Sequence, residues 1–122
     1  GDCLNLDGSH SYFRTDAIDS ELTERCDRLD LHPTGPLWGR GDPPTGAEVR
    51  LLEESVAVSL PGWAEGLARF GLTQERRALR LPVPDLRWRT VPIGLELTFA
   101  LPAGAYATAV LRELIAWEPG DG

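Results

Sequence analysis

Apolar and polar residues alternate from Cys3 to Leu6, Asp7-Gly8 supplies a turn, and Ser11 to Arg14 can return as a second strand. Residues 1–14 therefore read as a β-hairpin. Leu22, Cys26 and Leu29 then recur at helical spacing, behind Asp19 or Ser20 as the cap, which predicts a helix from Glu21 to about Leu29. Residues 32–46, HPTGPLWGRGDPPTG, hold four Pro and four Gly, so neither helix nor strand is expected there. This reads as a long loop of the kind that is often functional, with Trp38 packing it against something. Thr45 and Glu48 have the spacing of a capping box, opening a helix to about Ser59 with Val49, Leu52, Val56 and Leu60 on one face. Pro61-Gly62 breaks it, and a second helix from Trp63 to Phe70 ends at Gly71. The short connection predicts two antiparallel helices. Beyond Gly71, Ala78–Leu81, Leu86–Val91 and Leu95–Leu101 read as strands punctuated by Pro82, Pro84 and Pro92. Tyr106, Val110 and Leu114, four apart, predict a last helix from Ala105 to Trp117. A hairpin, then helices, then strands and a helix make the fold class α+β.

Composition narrows the setting. The 122 residues suit one modest domain or a piece of a larger one, and 42% hydrophobic content supports a packed core. No apolar run approaches the roughly 18 residues of a membrane span, so no membrane partner is expected. The first ten residues have none of the features of a signal peptide, which places the protein in the cytoplasm. A chain that opens directly on a strand, and holds no Met, hints at residues before Gly1. Cys3 and Cys26 are expected as reduced core or surface thiols, and two Cys with two distant His have no metal-site spacing. The net charge of −7 argues against a freestanding nucleic-acid binder. That charge is unevenly spread: residues 1–65 carry 13 acids against 5 Arg, and residues 66–122 carry 6 acids against 7 Arg. Only the second half is a candidate for touching RNA.

No Gly-rich phosphate loop, HExxH, CxxC or GxSxG occurs, and His10 and His32 read as ordinary exposed residues. Arg76, Arg77, Arg80, Arg87 and Arg89 fall within fourteen residues, interleaved with Trp88. Such a set can grip RNA phosphates, or it can pair with the acidic first half. Alternation in RALRL and LRWRT places several of these Arg on one strand face. In LPAGAYATAVLRELI (residues 101–115), Pro102 and Gly104 turn the chain after a strand and a helix starts just beyond. Tyr106 and Thr108 then lie in the first helical turn, an aromatic ring and a hydroxyl beside free N–H groups. That place can hold a flipped base stacked on the ring. Equally, Tyr106 can be a core aromatic and Arg112 a surface charge.

LPAGAYATAVLRELI resembles the terminal signature of TruD-type pseudouridine synthases: leucine-proline-alanine-glycine, a small residue, an aromatic, alanine-threonine, then arginine-glutamate-leucine. GDCLNLDGSHSYF at 1–13, HPTGPLWG at 32–39 and ERRALRLPVPDLRW at 75–88 resemble family segments in the same order. The resemblance spans nearly the whole chain, and its most specific part is the terminal signature. It implies an enzyme that isomerises uridine to pseudouridine in tRNA with no metal and no cofactor. In that family a base is flipped out, an aspartate attacks, the glycosidic bond breaks, and the ring rejoins through carbon.

The family carries that aspartate in a Gly-x-Lys-Asp segment, and this chain has no Lys at all. No catalytic role therefore passes to Asp2, Asp16 or any other Asp here. The resemblance implies a substrate-binding role for Tyr106, where the family often has Phe, with Arg112 and Glu113 bracing the pocket; Thr108, in the same first helical turn, is the second substrate-binding candidate. RNA contact would fall to Arg76, Arg77, Arg80, Arg87 and Arg89. Residues 1–80 would be part of the family's insertion domain, and 81–122 the return to the catalytic domain, completing its sheet. The expected partners are tRNA and the N-terminal catalytic segment of the same enzyme. Alone, the chain is expected to be inactive and, with open strand edges, to self-associate. The alternatives are a non-catalytic tRNA-binding module derived from the family, and an acidic domain that binds a protein through the 32–46 loop.

Overall fold

A computed structural model describes residues 1–116, with four helices and two antiparallel sheets, an α+β fold. The chain divides into two compact units, Gly1–Arg80 and a second from Leu81 onward.

The first unit opens on the expected hairpin. β1 (Asp2–Leu6) pairs antiparallel with β2 (Tyr12–Thr15), Leu4 opposite Phe13. Helix α1 (Ser20–Asp27) follows, its N-cap Asp19 accepting from Leu22 N at 2.8 Å. β3 (Leu31–Leu37) then crosses to the other side of β1, and β4 (Glu75–Ala78) pairs with β3, giving the order β2-β1-β3-β4. Between β3 and β4 lie α2 (Ala47–Ser59) and α3 (Pro61–Arg69), packed on each other. Cys3, Leu4 and Leu31 are the buried hydrophobic side chains of this unit among the described residues.

The first unit departs from the sequence expectations at three places. The stretch predicted as an unstructured loop contains β3, a central strand with Pro33 and Pro36 in it. The ladder register tolerates both. The Pro33 carbonyl accepts from Leu79 N at 2.9 Å, so its missing N–H faces β4 just past the end of that ladder. Alternation turns Pro36 toward the β1 side, beyond Pro33↔Leu4, the last pair there. Gly35 has a separate reason: a Cβ there would come within 2.9 Å of the Leu79 side chain lying over it. Second, the capping box does not form. Gly46 is the N-cap of α2, with no side-chain cap, because the buried Thr45 hydroxyl donates instead to Glu53 Oε2 at 2.9 Å. Third, the strand expected at Ala78–Leu81 lies three residues earlier, at Glu75–Ala78, where it finds β3 as a partner.

Helices α1 and α3 end in the same motif. At α3, Gly71 N donates to Ala68 O and Leu72 N to Leu67 O. At α1, Leu29 N donates to Cys26 O and Asp30 N to Arg25 O, with Leu29 itself at φ 65°. A left-handed leucine costs about 1–2 kcal/mol where glycine costs little.

The second unit holds β5 (Arg87–Val91) and β6 (Gly94–Thr98), paired from Arg87↔Thr98 to Val91↔Gly94, and helix α4 (Ala107–Leu114). The last strand and helix are shorter than expected, and Trp117 lies outside the described residues. Val110 is the buried hydrophobic residue of this unit among the described residues.

Candidate functional site

The terminal segment leaves β6 and reaches α4 through Phe99 to Tyr106. Ala105 N donates to Pro102 O at 3.1 Å, closing a turn in which Gly104 sits at φ 85°, a conformation that favours glycine. Tyr106 is the N-cap of α4 rather than a first-turn residue: its backbone is extended and its carbonyl accepts from Ala109 N at 3.0 Å. Its side chain makes no cap hydrogen bond and is 71% exposed, so Tyr106 is not a core aromatic in this chain. Thr108 is also exposed, while Val110 turns inward and anchors the helix. The segment thus presents a ring and a hydroxyl around a helix start whose first N–H groups have no intrahelical acceptor.

The arginines do not behave as one set. Arg76, on β4, is buried with its side chain 1% exposed. Its Nη1 donates to both Glu53 carboxylate oxygens at 2.9 Å, its Nε to Thr34 Oγ1 at 2.7 Å, and its Nη2 to Thr34 O at 2.8 Å. Arg80 reaches back under α1, its Nη2 donating to Cys26 O at 2.8 Å and Leu31 O at 2.6 Å. A cation at the last carbonyls of a helix is favourably placed. Both guanidinium groups are thus engaged inside the first unit. Arg77 points the other way from Arg76, is exposed, and has no ion-pair partner among the described residues. In the second unit, Arg87 is exposed and likewise unpaired. Arg89 forms a two-pronged pair across the ribbon with Glu96, at 2.6 and 3.1 Å, which raises the guanidinium pKa further. The acidic partners of Arg76 and Arg89 come from different halves of the chain, so neither purely acidic-half pairing nor a single exposed patch describes them.

His32, expected as exposed, is buried. Adjacent Leu31 and His32 point to opposite faces of β3 and both faces are covered there. His32 Nε2 lies 2.8 Å from Asp7 Oδ1, and its Nδ1 has no protein partner. His10 is exposed. Cys3 is buried in the sheet, Cys26 half-buried in α1, and neither is bonded to the other. Burial pushes the Cys3 thiol pKa up, against the opposing pull of Arg76, so the group stays a neutral, unreactive thiol. Among the described residues no group of three or more His, Cys, Asp or Glu is placed to hold a metal. No helix among them is long and apolar enough to cross a membrane.

The described residues also form a concavity that the Arg run and the terminal segment do not contribute to. An open cleft of about 690 Å³ runs between the β3–β4 face and helices α2 and α3, bordered by Trp38, Leu52, Val56, Trp63 and Leu79. Its sequence signals were Trp38 in the Pro/Gly-rich stretch and the apolar α2 face of Val49, Leu52, Val56 and Leu60.

A model of the family described as tRNA pseudouridine synthase D (TruD) matches residues 1–114. Proteins named tRNA pseudouridine synthase D from Nitrosococcus oceani, Methylococcus capsulatus and Stutzerimonas stutzeri are 51%, 47% and 48% identical to this chain. The alignments cover 100%, 98% and 94% of the chain but 35%, 34% and 33% of those proteins. The chain therefore spans about a third of the length of these relatives, in their C-terminal portion. With the match running from the first hairpin to the end of α4, the chain belongs to the TruD family of tRNA pseudouridine synthases.

Proposed function

We propose that this chain works as part of a tRNA pseudouridine synthase, supplying one wall of the uridine pocket and part of the tRNA grip. The family match through the LPAGAYATAVLREL segment carries the reading, and the exposed ring of Tyr106 at the start of α4 supports it. In the isomerisation the bond between uracil N1 and the ribose breaks and a bond from C5 forms, so the base must leave its stack and be held while it turns. A flat exposed ring gives such a base a stacking partner. The Thr108 hydroxyl, two residues on, offers it a hydrogen bond. The catalytic aspartate comes from the family's N-terminal segment, so the 122 residues alone form no pseudouridine. In this reading Gly1–Arg80 belongs to the insertion domain and residues from Leu81 onward to the catalytic domain, in a cytoplasmic enzyme acting on tRNA.

Tyr106→Ala in an enzyme completed with the missing segment should lower turnover at least about tenfold while tRNA affinity changes by less than about threefold, measured by single-turnover pseudouridine formation and filter binding. An unchanged rate constant would remove Tyr106 from the pocket.

The exposed, unpaired Arg77 and Arg87 are the phosphate contacts, each on its own unit. Arg76 and Arg80 support the fold of the first unit, and Arg89 contributes only when Glu96 releases it. In the same completed enzyme, Arg77→Ala with Arg87→Ala should weaken tRNA binding and flatten its dependence on salt by about two counterions. An unaltered salt slope would place the tRNA elsewhere.

A further inference from the structure

We infer that the cleft between the β3–β4 face and helices α2 and α3 is a docking surface for apolar side chains from the upstream two thirds of a full-length TruD protein. The inference rests on family membership, not on the proposed roles of Tyr106 or the arginines.

The chemistry of the cleft selects an apolar occupant. At about 690 Å³ it has the size of a ligand pocket, but ligand pockets also present free polar groups that orient what they bind. Here most of those groups are already engaged within the protein. The Thr34 hydroxyl donates to Cys3 O at 2.6 Å and accepts from Arg76. Glu53 is taken by Arg76 and Thr45. One Asp2 carboxylate oxygen accepts from Cys3 N at 2.7 Å. What remains is hydrocarbon and two indoles, with Leu52, Val56 and Trp63 more than half exposed. The predicted apolar face of α2 does form, and Leu52, Val56 and Leu60 on it stay more than half exposed among the described residues. A contiguous apolar surface of this kind marks an interface.

The occupant follows from length and placement. The relatives run on for about two thirds of their length outside the part this chain matches, which is their C-terminal portion. The N-terminal end of β1 lies at the rim of the cleft: Asp2 lines it, and Gly1 O accepts from Gly46 N at 2.8 Å, directly before α2. Chain joined ahead of Gly1 is thus delivered beside the uncovered face.

Thiol labelling tests this. Val56→Cys places a thiol on the cleft wall, and Ser55→Cys places one on the same helix outside the cleft, both in a Cys26→Ser background. Each is made in the 122-residue chain and in a chimera where this chain replaces the matching third of the Nitrosococcus oceani relative. The rate at Val56→Cys, relative to Ser55→Cys, should fall at least about tenfold in the chimera and stay near one in the dilute isolated chain. An unchanged ratio in the chimera overturns the inference. So does protection in the isolated chain that grows with its concentration, which would assign the face to a second copy. Pseudouridine formation by the same chimera is scored separately, so loss of activity with the cleft protected would count against the proposed function alone.

Discussion

Arg76 shows how little a residue type says about its role before its surroundings are known. In the sequence it is one of five arginines in a short run, and its neighbour Arg77 reads the same. Strand alternation separates them, Arg76 inward and Arg77 to solvent. A desolvated guanidinium is tolerable only with its donors satisfied, and Glu53 and Thr34 provide this. Truncating one partner should therefore cost more than replacing both. Arg76→Ala should lower unfolding free energy by about 3–5 kcal/mol, and Arg76→Met with Glu53→Leu clearly less, by urea denaturation. Equal losses would mean that the pair contributes only as packing. His32 and Thr45 carry the same lesson. Neither burial was legible, because each depends on which strand or helix the chain brings alongside, and Thr45 gives up a cap to bind Glu53.

At the scale of elements, local chemistry predicted the hairpin, α1 with its Asp19 cap, the α2 break at Pro61 and the α3 stop at Gly71. These depend on turns, caps and period, which lie within a few residues of each other. β3 was hidden because two prolines and a glycine argue against a central strand, and only the register with β1 and β4 shows that the missing N–H groups fall past the ladder ends. β4 was displaced for the same reason: pairing, not alternation, sets its limits. The end of α1 depends on a residue more than fifty positions away, since Arg80 binds the Cys26 and Leu31 carbonyls and holds α1 to β3. Arg80→Ala should cost about 1.5–3 kcal/mol, and hydrogen exchange should speed up in α1 before β1. Equal acceleration in both would make Arg80 a global rather than a local tie.

For the molecule as a whole, the terminal signature was the part of the candidate site that could be read in advance, because its Pro, Gly and aromatic positions are local. The cleft could not be read in advance, since it is made by α2, α3 and a strand that was not foreseen. Its bare apolar walls, the exposed ring of Tyr106, and a length about a third that of the relatives agree on one point. On the proposed function, these 122 residues hold binding surface whose chemistry is completed by the rest of a TruD protein. The decisive experiment is pseudouridine formation in tRNA by the Nitrosococcus oceani chimera, beside the isolated chain. Pseudouridine from the folded chimera and none from the chain alone is the expected result. A folded chimera that binds tRNA but makes no pseudouridine, while the unmodified relative does, would contradict the assignment of this chain to a working synthase.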